Sequence, residues 1–198
     1  TSQRVEEVSF KKENVKSTKS TIPFLKNNNL DYANAFKWSG EKAQKYGWIL
    51  FVFMAIFVVT AVSNSSNLTD GMDGLATGCL SIISVVLIVL CYIASETMVS
   101  INKTTWASYL LIPHIPQAGE LSIFYSSILG ALLGFLWFNC YRAKVFMGDT
   151  GALPLGATIG YGALVTKHEI LLLIAGGVFM IELASVVLQV GYFKYSGG

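Results

Sequence analysis

Two short stretches concentrate the residues able to do chemistry. Asn67-Leu68-Thr69-Asp70-Gly71-Met72-Asp73-Gly74 ends on two carboxylates and two glycines within five residues. Asp70 and Asp73 are three apart, so a helical turn would aim both the same way. Such a pair suits a magnesium ion, or hydrogen bonds to a ribose and a base. The glycines let backbone approach a ligand closely. Asp-Gly is equally common in solvated turns, and spacing alone leaves both readings open. An EF-hand is excluded, because the later ligand positions hold Ala and Gly.

The second stretch is Val145-Phe146-Met147-Gly148-Asp149-Thr150-Gly151. Asp149 stands just before an apolar run, where it could cap a helix. It could also bind metal or serve phosphate chemistry beside backbone amides. Phe146 offers a flat face for a nucleobase, although contact with lipid or core is the plainer reading. Arg142 and Lys144 could meet a pyrophosphate or flank lipid headgroups.

The elements that must position these loops are apolar. The 198 residues are 53% hydrophobic and only 13% charged, which points to a membrane protein. Five runs, Tyr46–Ser63, Gly78–Ser95, Leu121–Tyr141, Thr150–Thr166 and Ile170–Phe193, are long enough to cross a bilayer core of about 30 Å. Aromatic residues mark several ends, among them Tyr46, Trp48, Trp137, Tyr141 and Tyr192. The expected fold is an all-α, polytopic membrane helix bundle of about five transmembrane helices. Residues 1–45 read as a polar extramembrane loop holding a short β-hairpin, with a turn at Asn27-Asn28-Asn29. Residues 46–198 read as the membrane portion.

If every run spans, Asn64–Thr77 and Asn139–Asp149 emerge on one side. Residues 1–45, 96–120 and 167–169 emerge on the other. Asp70, Asp73 and Asp149 then converge on one membrane face. Glu182, Ser185 and Gln189 share a helix face and are expected to hydrogen-bond between helices. His114 and His168 fall at the far end and read as surface histidines. Cys79, Cys91 and Cys140 lack metal or disulfide spacing and read as small hydrophobes. A net charge of +2 gives no case for nucleic acid.

Three segments carry a family resemblance: NLTDGMDGLATG (Asn67–Gly78), FNCYRAKVFMGDTGALPLG (Phe138–Gly156) and ELASVVLQVGYFK (Glu182–Lys194). Together they resemble the phospho-N-acetylmuramoyl-pentapeptide transferases, a family within the polyprenyl-phosphate N-acetylhexosamine-1-phosphate transferases. The head stretch KSTKSTIPFLKNNNLDYA resembles the Bacteroidetes-type variant. The resemblance implies helices five to nine of a ten-helix enzyme, a C-terminal-half fragment. It implies transfer of phospho-MurNAc-pentapeptide from UDP-MurNAc-pentapeptide to undecaprenyl phosphate, giving lipid I and UMP in peptidoglycan synthesis, with Mg2+ required.

Carried over by motif, Asn67, Asp70 and Asp73 line the nucleoside site together with Leu68 and Gly71. Phe146 stacks on uracil, Asn139 joins the substrate site, and Asp149 binds the metal. Asp70 and Asp149 are the expected catalytic pair. The resemblance also allows a homodimer. Arg142 replaces the family's usual Pro, and Gly151-Ala152-Leu153 replaces its GSL. An upstream Asp-Asp motif and a downstream His-rich loop are absent, so this stretch alone is expected to be inactive. The alternatives are a sister enzyme that uses UDP-GlcNAc and a non-catalytic membrane scaffold.

Charge and chemistry assign opposite orientations. Nine of the 14 Lys and Arg lie in residues 1–45, which would place the head in the cytoplasm. A cytosolic sugar nucleotide requires the aspartate loops there instead. The chemistry decides the expectation: a bacterial inner-membrane protein with its aspartate loops facing the cytoplasm.

Overall fold

The computed structural model describes residues 19–21, 29–33, 43–95, 106–110 and 112–196. Two strands, β1 (Lys19–Thr21) and β2 (Asn29–Asp31), pair antiparallel with Ser20 opposite Leu30. The expected hairpin is therefore present. Asn29 belongs to its second strand, and Asn27 and Asn28 lie outside the described residues.

Among the described residues seven helices follow: α1 (Ala43–Thr69), α2 (Leu75–Ser95), α3 (Trp106–Tyr109), α4 (Ala118–Asn139), α5 (Asp149–Val165), α6 (Glu169–Ala175) and α7 (Gly177–Tyr195). Among the described residues, four helical segments are long and apolar enough to cross a membrane: Lys45–Thr69, Leu75–Ser95, Ala118–Asn139 and Gly177–Tyr195. α5 has 17 residues, about 26 Å of helix. Lipid-type surface is plain on the outward faces, where Ile123, Trp137 and Leu188 are more than two-thirds exposed. In water such faces would be an aggregation hazard, whereas in hydrocarbon they are solvated.

Two boundaries differ from the expectation. α1 runs on to Thr69, so the loop expected over 64–77 shrinks to residues 70–74. The polar residues that suggested a loop instead bond back along the helix. Asn64 Nδ2 donates to Thr60 O, Ser65 Oγ to Ala61 O and Thr69 Oγ1 to Ser65 O. The run expected over 170–193 is broken at Gly176 into α6 and α7. A Gly-Gly pair is a common cause of such a break.

α2 packs most extensively on α4, and α1 on α5. The shared core holds Val62 of α1, Leu80, Ile83 and Leu87 of α2, Tyr125 and Leu132 of α4, and Ile159 of α5. With little hydrophobic force between helices in lipid, close approach and polar ties matter more. Ser63 Oγ donates to Leu153 O at 2.9 Å, and Tyr125 Oη donates to Thr158 O at 2.8 Å. At Gly156 a Cβ would lie 2.7 Å from Ser66 Cβ and 2.8 Å from Val62 O, so backbones meet there.

The end opposite the aspartates is closed by the hairpin. Thr21 N donates to Lys167 O at 2.9 Å, and Ile115 N donates to Ala94 O at 2.8 Å. The hairpin, the 112–117 segment and the α5–α6 turn thus share one end, as helix counting requires. Lys167 Nζ sits 4.3 Å from the centre of the Phe51 ring. His168, expected at the surface, is buried with only 4% exposure, while His114 is exposed. The hairpin docks on the neighbouring Lys167, at the same turn. Along the face shared by Glu182, Ser185 and Gln189, Gln189 Nε2 donates to Ser185 Oγ within α7 at 3.3 Å.

Two predictions follow from this packing. Gly156→Ala forces α1 and α5 apart and should cost about 1–3 kcal/mol. Gly130, with open space at its Cβ position, is the control. Thermal unfolding in detergent reads the difference, and equal midpoints for Gly156→Ala and Gly130→Ala would refute the close approach.

Glu169 is 6% exposed, so its carboxyl is largely removed from solvent. Burial raises its pKa above its ordinary 4.5, opposed by its own backbone amide, Ser20 and Lys167. The folded state keeps this proton where the unfolded chain releases it, so stability falls as pH rises above about 4.5 towards the folded value. Burial lowers His168 below its ordinary 6.5, so its contribution is lost on the acid side, as pH falls below 6.5. Glu169→Gln should therefore flatten the decline in thermal midpoint as pH rises above about 4.5 and leave the acid-side decline in place. Identical pH profiles for Glu169→Gln and the parent would contradict the upward shift of the Glu169 carboxyl.

Candidate active site

The two motif loops meet at the end opposite the hairpin. α1 delivers Asn67, Leu68 and Thr69 on its last turn, and the chain reverses over 70–74 into α2. Gly74 makes this reversal with φ +70, and a Cβ there would sit 3.4 Å from Cys140 Cα. Both the backbone angle and the close approach call for glycine. α4 ends at Asn139, and residues 140–148 lead into α5.

Carboxylates of the first loop hold the backbone of the second. Asp70 Oδ2 accepts from Gly148 N at 2.7 Å. Asp73 Oδ2 accepts from Arg142 N at 3.1 Å and Ala143 N at 3.3 Å. A carboxylate acceptor strengthens such bonds relative to neutral ones. This support falls where the backbone is unfavourable, because Arg142, a non-glycine residue, takes φ 62. Arg142 stands where the resembled family has Pro, and proline cannot take a positive φ.

Beneath the surface, Thr77 Oγ1 donates to Asn139 Oδ1 at 2.7 Å, and Asn139 Nδ2 donates to Val145 O at 2.9 Å. Both side chains are fully buried. Asn139, expected to touch substrate, has both ends of its amide engaged inside the protein. Asn67 is half-buried, and Leu68, Gly71, Met72 and Asp73 are exposed around the rim. Phe146 is 52% exposed on the same surface, open to a planar partner.

Asp149 is the first residue of α5, and Gly148, which has no side chain, occupies the N-cap. The capping role open to Asp149 from sequence is therefore not the one it takes. Its side chain is exposed at the helix N-terminus, where the helix dipole favours negative charge. No cluster of three His, Cys, Asp or Glu close enough to cage a metal exists among the described residues. Mg2+ does not need such a cage. It is usually held by one or two carboxylates, with waters and substrate phosphates completing the shell. Asp149 fits that mode, with Asp70 alongside, since Asp70 keeps one oxygen outside its bond to Gly148.

Sequence reasoning named the aspartates but missed Thr77, whose only signal is a hydroxyl one turn past Asp73 in an otherwise apolar stretch. Arg142 and Lys144 are exposed beside the site.

These features define a polytopic membrane protein with an acidic, glycine-rich site at one membrane face. The chain belongs to glycosyl transferase family 4, whose family model matches residues 20–167. It is 50% identical over 192 residues to the phospho-N-acetylmuramoyl-pentapeptide-transferase of Parabacteroides distasonis, covering 97% of this chain and 44% of that protein. The protein of the same name from Porphyromonas gingivalis is 53% identical over 191 residues, covering 96% of this chain and 44% of that protein. That of Flavobacterium psychrophilum is 45% identical over 181 residues, covering 91% and 42%. The chain thus spans less than half the length of the curated relatives it matches.

Proposed function

We propose that the full-length protein transfers phospho-MurNAc-pentapeptide from UDP to undecaprenyl phosphate, forming lipid I and releasing UMP, with Mg2+ bound at Asp149. The observation that carries this reading is the joining of two aspartate loops, 78 residues apart at the Asp70–Gly148 bond, around an uncapped Asp149 carboxylate. The relatives' shared name supports the choice of donor. A site at the membrane face suits one water-soluble and one lipid substrate. Residues 1–45 then form an extramembrane segment, and residues 46–198 form part of the membrane body of an inner-membrane transferase. The aspartate loops face the cytoplasm.

In this reading an oxygen of the carrier phosphate attacks the sugar-bearing phosphorus of the donor. The pyrophosphate P–O bond breaks, and UMP leaves with the bonding electrons. A bound magnesium ion supplies charge neutralisation for the two anionic reactants. This chain's residues supply positioning. Phe146 stacks on the base, while Asn67, Leu68, Gly71 and Asp73 border the nucleoside. Asp70 and Asp149 hold the phosphate end, and Asn139 supports the surface from behind. Reaction between two pre-bound phosphates needs mainly orientation and preorganised charge.

Membranes bearing the full-length protein, given radiolabelled UDP-MurNAc-pentapeptide and undecaprenyl phosphate, should make a labelled lipid only with magnesium present. Labelled lipid from UDP-GlcNAc instead would move the protein to the sister activity. Asp149→Asn should change stability by less than about 1 kcal/mol, because only a helix-dipole interaction is lost. Turnover should fall at least about a hundredfold, on the scale of losing one strong electrostatic contact. Wild-type turnover in Asp149→Asn would remove Asp149 from the metal site.

A further inference from the structure

Hydroxyls on these helices have a usual destination. Thr69, Ser81, Ser84 and Thr166 are all buried, and each bonds back to the carbonyl four residues earlier. Thr77 does not. It reaches across to α4 and donates to Asn139 Oδ1. Among the described residues this is the one hydrogen bond between two fully buried side chains.

The orientation of the Asn139 amide follows. Val145 O can only accept, so Nδ2 must face it, and Oδ1 is left facing α2. Only a donor at position 77 satisfies that oxygen. Burial makes an unmet acceptor costly, so the hydroxyl locks the amide rather than decorating it. The locked amide in turn fixes Val145, the residue before Phe146. At the far end of the same segment, Gly148 N is fixed by Asp70. The segment from Phe146 to Asp149 is therefore held at both ends by the first motif, once at Asp70 and once at Thr77.

We infer that Thr77 is a positioning residue for the transfer reaction. Acting through Asn139, it sets the 145–149 segment against the Asp70–Asp73 loop, so that Phe146 and Asp149 meet the base and the phosphates of one nucleotide in register. This inference rests on the proposed transferase reading for its consequence, but not for its geometry.

The test compares Thr77→Val, which keeps the shape and removes the donor, with Thr77→Ser, which keeps the donor. Both are made in the full-length protein. Amide hydrogen exchange is followed by mass spectrometry over the peptide containing residues 144–149. The KM for UDP-MurNAc-pentapeptide and the thermal midpoint are measured alongside. Thr77→Val should speed exchange in that peptide roughly threefold to tenfold, the worth of one net hydrogen bond, and raise KM by a similar factor. Exchange in α1, α2 and α5 should stay unchanged, and Thr77→Ser should match the parent throughout.

Unchanged exchange over 144–149 in Thr77→Val would overturn the inference. So would equal acceleration in every helix, a Thr77→Ser that behaves like Thr77→Val, or a local change in exchange with no change in KM. If the full-length protein does not turn over this donor, the transferase reading fails, and the exchange measurement decides the strut by itself.

Discussion

Backbone amides in a tight reversal need acceptors, and at this membrane face the acceptors are carboxylates from the neighbouring loop. Asp73 takes the amides of Arg142 and Ala143, and Asp70 takes that of Gly148. These bonds let residues 140–148 adopt positive φ at two places without collapsing onto the helix ends. Each aspartate is therefore the fastening of the adjacent loop, in addition to the ligand role proposed for it. Replacing either one would disturb the loop as well as remove a charge, which complicates any simple reading of activity loss at Asp70 or Asp73. Asp149 is the cleaner probe, because no side-chain capping bond depends on it.

The helices supply the frame that makes those bonds possible. α1 and α4 deliver the two loops to the same end, and α2 and α5 carry the chain away. Approach of α1 to α5 at Gly156, and of the 74 turn to the end of α4, sets the spacing within which a 2.7 Å bond from Gly148 can form. Small residues and hydroxyls do this where bulk hydrophobic packing has little to add in lipid. The hairpin performs the matching task at the opposite end, where Thr21 bonds to Lys167 beside the buried His168 and Glu169.

Much of this was legible in the sequence. Long apolar runs announce membrane helices whatever their partners, and counting them correctly placed Asp70, Asp73 and Asp149 at one end. The loop length was not legible, because Ser65, Ser66 and Thr69 look like loop residues. At a helix end, hydroxyls can bond to the preceding turn and prolong it. Burial of His168 was equally hidden, since it lies in a turn on which a strand about 150 residues earlier in the chain docks. The break at Gly176 could have been read from the Gly-Gly pair. Asn139 illustrates a different limit. Its motif marks it as important, but only its hydrogen bonds show that its side chain faces inward.

The central claim is that residues 70–74 and 139–149 form one joined surface. Cys140 is a free thiol, and a Cβ placed on Gly74 would lie 3.4 Å from its Cα. Met72 is exposed on the same loop, two residues before Gly74, and can be changed to cysteine without strain. Treatment of Met72→Cys in the full-length protein with a flexible bis-maleimide, followed by peptide mass spectrometry, tests the claim directly. The account predicts a cross-linked peptide joining residues 72 and 140. It is contradicted if no cross-link forms while each thiol reacts singly with a membrane-impermeant maleimide, from opposite sides of the bilayer.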